Sequence, residues 1–181
     1  CFITSPTFYD DQQKLTYNAG CFDEENFNQE TLILEGDVCV DKVLGSAMLF
    51  KKKDITELGL LDENFFMYYE DDDLCRRIKQ KKMSVIQIFD AKAQHNHGQI
   101  KVINKLKRIF IRNYHFTYDE LYYYFKKGKH NQKFNYIKKK IPNYIIKMII
   151  NFIILRFSQS IYYMAKTMAF YKFVKFLKNN S

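Results

Sequence analysis

Glycine and proline are scarce in this chain of 181 residues, at 6 and 2. That scarcity excludes a long flexible linker. The four cysteines, Cys1, Cys21, Cys39 and Cys75, lie far apart and make no Cys-x-x-Cys pair. Their spacing offers neither a zinc knuckle nor a redox motif, and reduced thiols are expected. No basic cluster leads into an apolar run near residue 1, so nothing there reads as a signal peptide. The first residue is Cys1 rather than Met, and the start of a longer reading frame is expected to be missing. No internal repeat is visible. A membrane-spanning helix needs about 20 mainly apolar residues. The most apolar stretch, Tyr144 to Phe157, is shorter and is interrupted by Lys147, Asn151 and Arg156.

Acidic residues almost disappear from the second half. Through His97 the chain has 11 Lys and Arg against 18 Asp and Glu, a net charge of −7. The remainder has 18 against 2, a net charge of +16. The two parts therefore face different partners. An acidic first part does not suit nucleic acid, and no RNA-binding motif is present. A basic tail rich in Ile, Phe and Tyr suits an anionic membrane surface, with residues 143–177 lying in the interface as an amphipathic helix. The bland alternative is a helical hairpin folded onto the rest of the protein.

Residues 1–40 read as short strands and loops, with Thr31 to Leu34 and Val38 to Val40 as β-prone runs. The apolar run Val43 to Phe50 reads as a buried strand whose Gly45 and Ser46 admit a close neighbour. Residues 54–61 form a short helix or turn ending near Gly59. From about Glu70 a second helix starts with acidic residues in its first turn, as the helix dipole prefers. Asp72/Arg76 and Asp73/Arg77 are spaced to pair. Lys79 to Lys82 end that helix, Ser84 to Phe89 form a strand, and Ala91 to Gly98 form a loop. Beyond residue 100 the apolar period becomes helical. Thr117 to Glu120 fits a capping box, Gly128 a helix stop, and Lys138 to Pro142 a break. Asn143 to Leu177 reads as helical and amphipathic, rich in Ile, Phe and Tyr.

Glu70-Asp71-Asp72-Asp73, with His95 downstream, is the group that could carry chemistry. A hydroxyl is a poor nucleophile at neutral pH. A carboxylate within hydrogen-bond reach can take its proton during attack, worth roughly 10²–10⁴-fold. A departing diphosphate needs a cation, commonly a divalent metal. Local pattern alone favours Asp71 as a helix cap and His95 as a surface or hydrogen-bonded residue rather than a ligand.

The run from Gly45-Ser46-Ala47-Met48-Leu49-Phe50, through Leu61-Asp62-Glu63-Asn64-Phe65-Phe66-Met67-Tyr68-Tyr69-Glu70-Asp71-Asp72-Asp73-Leu74-Cys75-Arg76-Arg77, to Ala91-Lys92-Ala93-Gln94-His95 resembles family 2 glycosyltransferases of the rhamnosyltransferase-like type. The match follows the order and spacing of that family's small-residue strand, its Glu-Asp block and its later His. It covers about a third of the chain. The resemblance implies an α/β fold, the acceptor-side half of a GT-A Rossmann-like sandwich, over residues 1–100. A basic amphipathic helical region then follows over 101–181. It implies inverting transfer from a nucleotide-diphosphate sugar donor to a glycan or lipid-linked acceptor, as in cell-surface polysaccharide synthesis. Asp71 matches the catalytic base, and Glu70 a position that contacts the acceptor. Asp73 and Arg77 match the later residues of the block, placed at the substrate site and expected chiefly to support it. Gly45 matches the glycine beside the acceptor pocket. His95 matches a residue that helps bind a divalent metal, Mn2+ or Mg2+, with the diphosphate.

Leu61 stands where that family has Phe, Gln99-Ile100 departs from its small or hydroxyl residues, and His97 is a rival ligand. The family's nucleotide-binding strands and Asp-x-Asp motif are not found before residue 45. The expected location is the cytoplasmic face of a bacterial cell membrane, held peripherally. Two other readings remain at this point: a non-catalytic basic module for anionic membrane or RNA, and an inactive truncated relic.

Overall fold

The computed structural model describes residues 2–17, 20, 36–95, 104–128 and 130–180. The chain divides into two compact units, one of Cys1–Asp62 with Glu70–Gln99 and one of Glu63–Tyr69 with Ile100–Ser181. The expected strand at Thr31 to Leu34, and Cys1, Cys21, His97, Gln99 and Ile100, lie outside the described residues.

The first unit is mixed α/β. Strand β1 (Ile3–Tyr9) pairs in parallel with β5 (Val85–Gln94). Strand β3 (Val38–Val40) runs antiparallel along the other edge of β5. The free edge of β1 takes β4 (Leu49–Phe50) near its start and β2 (Leu15–Tyr17) near its end, both antiparallel. Ile3 and Val85 face inward with Val43, Ile55, Leu74 and Ile78. Helices α1 (Lys52–Leu58) and α2 (Glu70–Gln80) supply the last three of those side chains. Helix α1 stops where the sequence places its stop. Gly59 takes φ 102° and its N–H reaches the carbonyls of Ile55 and Thr56, a geometry that glycine adopts without steric penalty. Buried Cys75 is an inert thiol. Burial in this core, with the Asp71 and Asp72 charges adding to it and the Val43 backbone and Lys42 opposing it, pushes its pKa up to about 12.

Two expectations fail in this unit. Residues 43–48 are mostly irregular, and only Leu49–Phe50 is strand. Ser5 Oγ donates to the Ala47 carbonyl at 2.9 Å, fastening the irregular run to β1. Conversely, β5 does not end at Phe89. The β1 register jumps from Pro6↔Ile88 to Thr7↔Lys92, and pairing then continues to Tyr9↔Gln94. The bulge absorbs the extra residues, and Phe89 N–H finds the Asp37 carboxylate at 2.9 Å. Residues 91–94 have little strand propensity of their own; β1 supplies the hydrogen bonds that hold them extended.

The second unit is helical. Helices α3 (Lys105–Lys126), α4 (His130–Ile153) and α5 (Phe157–Asn179) bury Leu121, Ile137, Ile141, Phe170 and Phe173 together. Asn104 caps α3, its side-chain oxygen accepting from the amides of Leu106 and Lys107. The expected capping box at Thr117 to Glu120 is instead the middle of α3. Pro142 lies inside α4 rather than breaking it. Ile137 and Ile141 before it and Tyr144 and Ile145 after it belong to one core, and that burial outweighs the missing N–H. The helical stretch expected over 143–177 falls in two helices that turn at residues 154–156, the hairpin of the alternative reading. Among the described residues no helix is long and apolar enough to cross a membrane.

Candidate active site

Helix α2 opens directly after Tyr69, whose φ of 68° turns the chain sharply. Its first turn holds Glu70, Asp71, Asp72 and Asp73, where exposed amides favour negative charge. The four carboxylates separate in role. Asp71 Oδ1 accepts from the Asp72 amide at 2.8 Å, and Asp71 Oδ2 accepts from the Gly45 amide at 2.9 Å. Each carboxylate oxygen has two acceptor positions, so these bonds orient Asp71 and leave room for a hydroxyl proton. Asp72 lies 3.6 Å from the Lys42 ammonium. Asp73 is fully buried and receives both Arg76 and Arg77, at 3.2 and 3.0 Å. Arg77 also donates to the carbonyls of Leu58 and Leu60 at the end of α1, at 3.1 and 2.5 Å. This planar three-way bridge ties α1 to α2, and it needs arginine's fork. Asp73 has no exposed surface to offer a ligand; its geometry supports the helix. Glu70 heads α2 and is half-buried.

Gly45 approaches Asp71 so closely that a Cβ there would sit 3.1 Å from Asp71 Cβ and 3.3 Å from Oδ2. Its neighbour Ser46 has its Oγ 3.4 Å from His95 Nε2. His95 follows the end of β5, where its amide donates to the Tyr9 carbonyl at 2.7 Å and its ring meets Phe8 edge-on. The irregular run 43–48 thus links the Asp71 carboxylate on one side with the His95 imidazole on the other. Gly45, Asp71 and His95, separate in sequence, share one exposed rim of the first unit. Ser46 and Lys42 join them. Ser46 was legible only as a small residue, and Lys42 carried no signal.

In the helical unit, Asp119 is fully buried, and its Oδ2 accepts from the amides of Met67 and Tyr68 at 3.2 and 3.1 Å. Burial pushes its carboxyl up, while the amides of Met67, Tyr68 and Phe66 and nearby His115 pull it down. Asp119 thereby holds the segment that runs into Glu70 and Asp71. Its own sequence context, a false capping box, conceals that role.

No group of three His, Cys, Asp or Glu side chains that could hold a metal ion comes together among the described residues. His95 can offer one ligand. The described residues therefore do not by themselves fit a divalent metal.

No protein-family model and no solved structure matches the chain. Over 57 residues, 32% of the chain, it is 35% identical to a low-salt glycan biosynthesis hexosyltransferase of Haloferax volcanii. The matched region spans 19% of that protein's length.

Proposed function

We infer that the chain forms the acceptor side of a glycosyltransferase of inverting, family 2 type, built on a GT-A-like α/β unit. The observation that carries this is the Asp71 carboxylate, fixed by the Gly45 and Asp72 amides on the rim that also holds Ser46 and His95. The partial likeness to a glycan biosynthesis hexosyltransferase points to the same class of reaction. In this reading an acceptor hydroxyl approaches Asp71 and attacks the anomeric carbon of a nucleotide-diphosphate sugar. The C–O bond to the acceptor forms as the bond to the diphosphate breaks. The hydroxyl proton passes to Asp71, and the nucleoside diphosphate leaves with the electron pair. A single displacement inverts the anomeric centre. The acceptor is a glycan or a lipid-linked sugar, and Glu70 lies beside the base where such an acceptor would be gripped. His95 and Ser46 face the departing side, where His95 would supply one of the contacts to the diphosphate or to Mn2+ or Mg2+.

The test is Asp71→Asn in the full-length protein that carries this acceptor side together with its donor side, read as nucleoside diphosphate released from a panel of nucleotide sugars in the presence of lipid-linked acceptor. Asn keeps the shape and one acceptor oxygen but cannot take a proton. We expect at least about a 10²-fold loss of kcat with an unchanged thermal melt. Near-normal turnover would remove Asp71 from the reaction.

A further inference from the structure

Among the described residues of the second unit, exposed aliphatic side chains concentrate at the tip of the α4–α5 hairpin, while Phe66, Phe116, Tyr136, Met168 and Tyr171 are exposed singly elsewhere. Ile149, Ile150, Phe152, Ile153, Ile154 and Leu155 are all more than half exposed there, Ile153 and Leu155 at 70% and 71%. The tip is ordered rather than frayed. The Ile154, Leu155 and Arg156 amides donate to the carbonyls of Ile150, Phe152 and Asn151. Ser160 Oγ donates to the Met148 carbonyl at 2.9 Å, fastening α5 to α4. Leu155 also takes φ 59°, a conformation that glycine adopts more easily. A leucine there is unfavourable twice, by its backbone and by its exposure, so folding of the hairpin does not account for it.

Behind the tip lies a belt of tyrosine and lysine. Lys147 sits over the Tyr163 ring at 5.7 Å, and Lys166 over Tyr162 at 4.6 Å and Tyr144 at 5.9 Å. At a rise of 1.5 Å per residue, the belt stands roughly 8–14 Å behind the tip along the two helices. Apolar faces of interfacial helices enter the bilayer by about 5–10 Å, and tyrosine and lysine settle at the headgroups. The near end of the belt, at Lys147 and Tyr162, falls within that depth. The charge agrees as well, because no acidic residue follows Glu120. A second copy of this chain would bring Lys147 and Arg156 against their own kind, whereas an anionic lipid surface complements them.

We propose that the α4–α5 tip is a membrane wedge: Ile149 to Leu155 enter the acyl region of an anionic bilayer, and the Tyr144–Lys147–Tyr162–Lys166 belt rests at the headgroups. The contact differs from a helix lying flat along its length, and it stands independently of the transfer reaction.

The experiment is flotation of the full chain with vesicles of phosphatidylcholine alone or with about a third phosphatidylglycerol. We expect binding to the anionic vesicles, weakened at high salt. The double variant Ile153→Asp, Leu155→Asp should reduce partitioning by about tenfold or more. Leu155→Gly should bind several-fold more weakly while melting at the same or a higher temperature, which separates lipid contact from folding. Three results overturn the proposal: a wild-type chain that ignores anionic vesicles, variants that float as wild type does, or a solution dimer by sedimentation that the double variant dissolves. The last would give the tip to a second copy.

Discussion

At Asp71 two backbone amides take one carboxylate oxygen each, and the amide from Gly45 comes from 26 residues earlier. This long-range bond turns a residue that could have been a simple helix cap into an oriented side chain at a rim. Gly45 matters here for space. A methyl group at that position would meet Asp71 Cβ at 3.1 Å, so the carboxylate or the run 43–48 must shift by a few tenths of an ångström. Gly45→Ala is therefore expected to leave the fold intact, since the site is exposed. It should lower turnover roughly tenfold, because displacement of about 1 Å costs about 10²-fold. Steady-state kinetics on the folded variant, with a thermal melt as control, checks this. Unchanged kcat would show that Asp71 tolerates displacement and that its reach to Gly45 is incidental.

Among the elements, α4 carries the sharpest conflict between local and tertiary preference. Pro142 removes one helical hydrogen bond and crowds the preceding turn, yet the helix runs from His130 to Ile153. The buried Ile137 and Ile141 lie on the same helix, just before the proline. Their burial offsets a local penalty of about 3 kcal/mol. Pro142 itself is exposed, so removing it disturbs no core packing. Pro142→Ala is expected to stabilise the helical unit by about 1–3 kcal/mol, read as a higher urea midpoint at constant slope. A lower midpoint would mean that the ring has a packing role its exposure does not reveal. Helix α2 shows the opposite case, in which local and tertiary preferences agree. Its acidic first turn, its basic last turn and its inward Leu74 and Ile78 all favour the same helix.

For the whole molecule, the chain does not divide at a single point. Residues Glu63–Tyr69 belong to the helical unit, although they precede α2 of the other one. Phe65 is the anchor of that segment, buried and edge-on to Tyr122 at 5.0 Å. Asp119 holds the neighbouring amides. Phe65→Ala should therefore weaken the helical unit, not only the loop that carries it. The expected loss is about 3–5 kcal/mol in its unfolding transition, the usual range for a buried phenylalanine. Denaturation followed by helical circular dichroism measures it. A loss under about 1 kcal/mol would show that residues 63–69 only rest on the helices.

The sequence by itself determined whatever depends on neighbours a few residues apart. The charge split at His97, the stop at Gly59, the dipole-matched start of α2 and the helical character beyond residue 104 are of this kind. Each follows from backbone sterics, helix electrostatics or a short apolar period. Gly45, Glu70, Asp71 and His95 could be singled out by resemblance, but their mutual geometry could not. Tertiary structure alone decided that β5 continues past its bulge to Gln94, because β1 supplies hydrogen bonds that residues 91–94 do not attract by propensity. It also decided that Pro142 stays helical, that Asp119 serves a loop 51 and 52 residues away, and that exposed isoleucines gather at a hairpin tip. These outcomes depend on burial and on partners distant in sequence, whose combined free energy exceeds the roughly 1–3 kcal/mol scale of local preference.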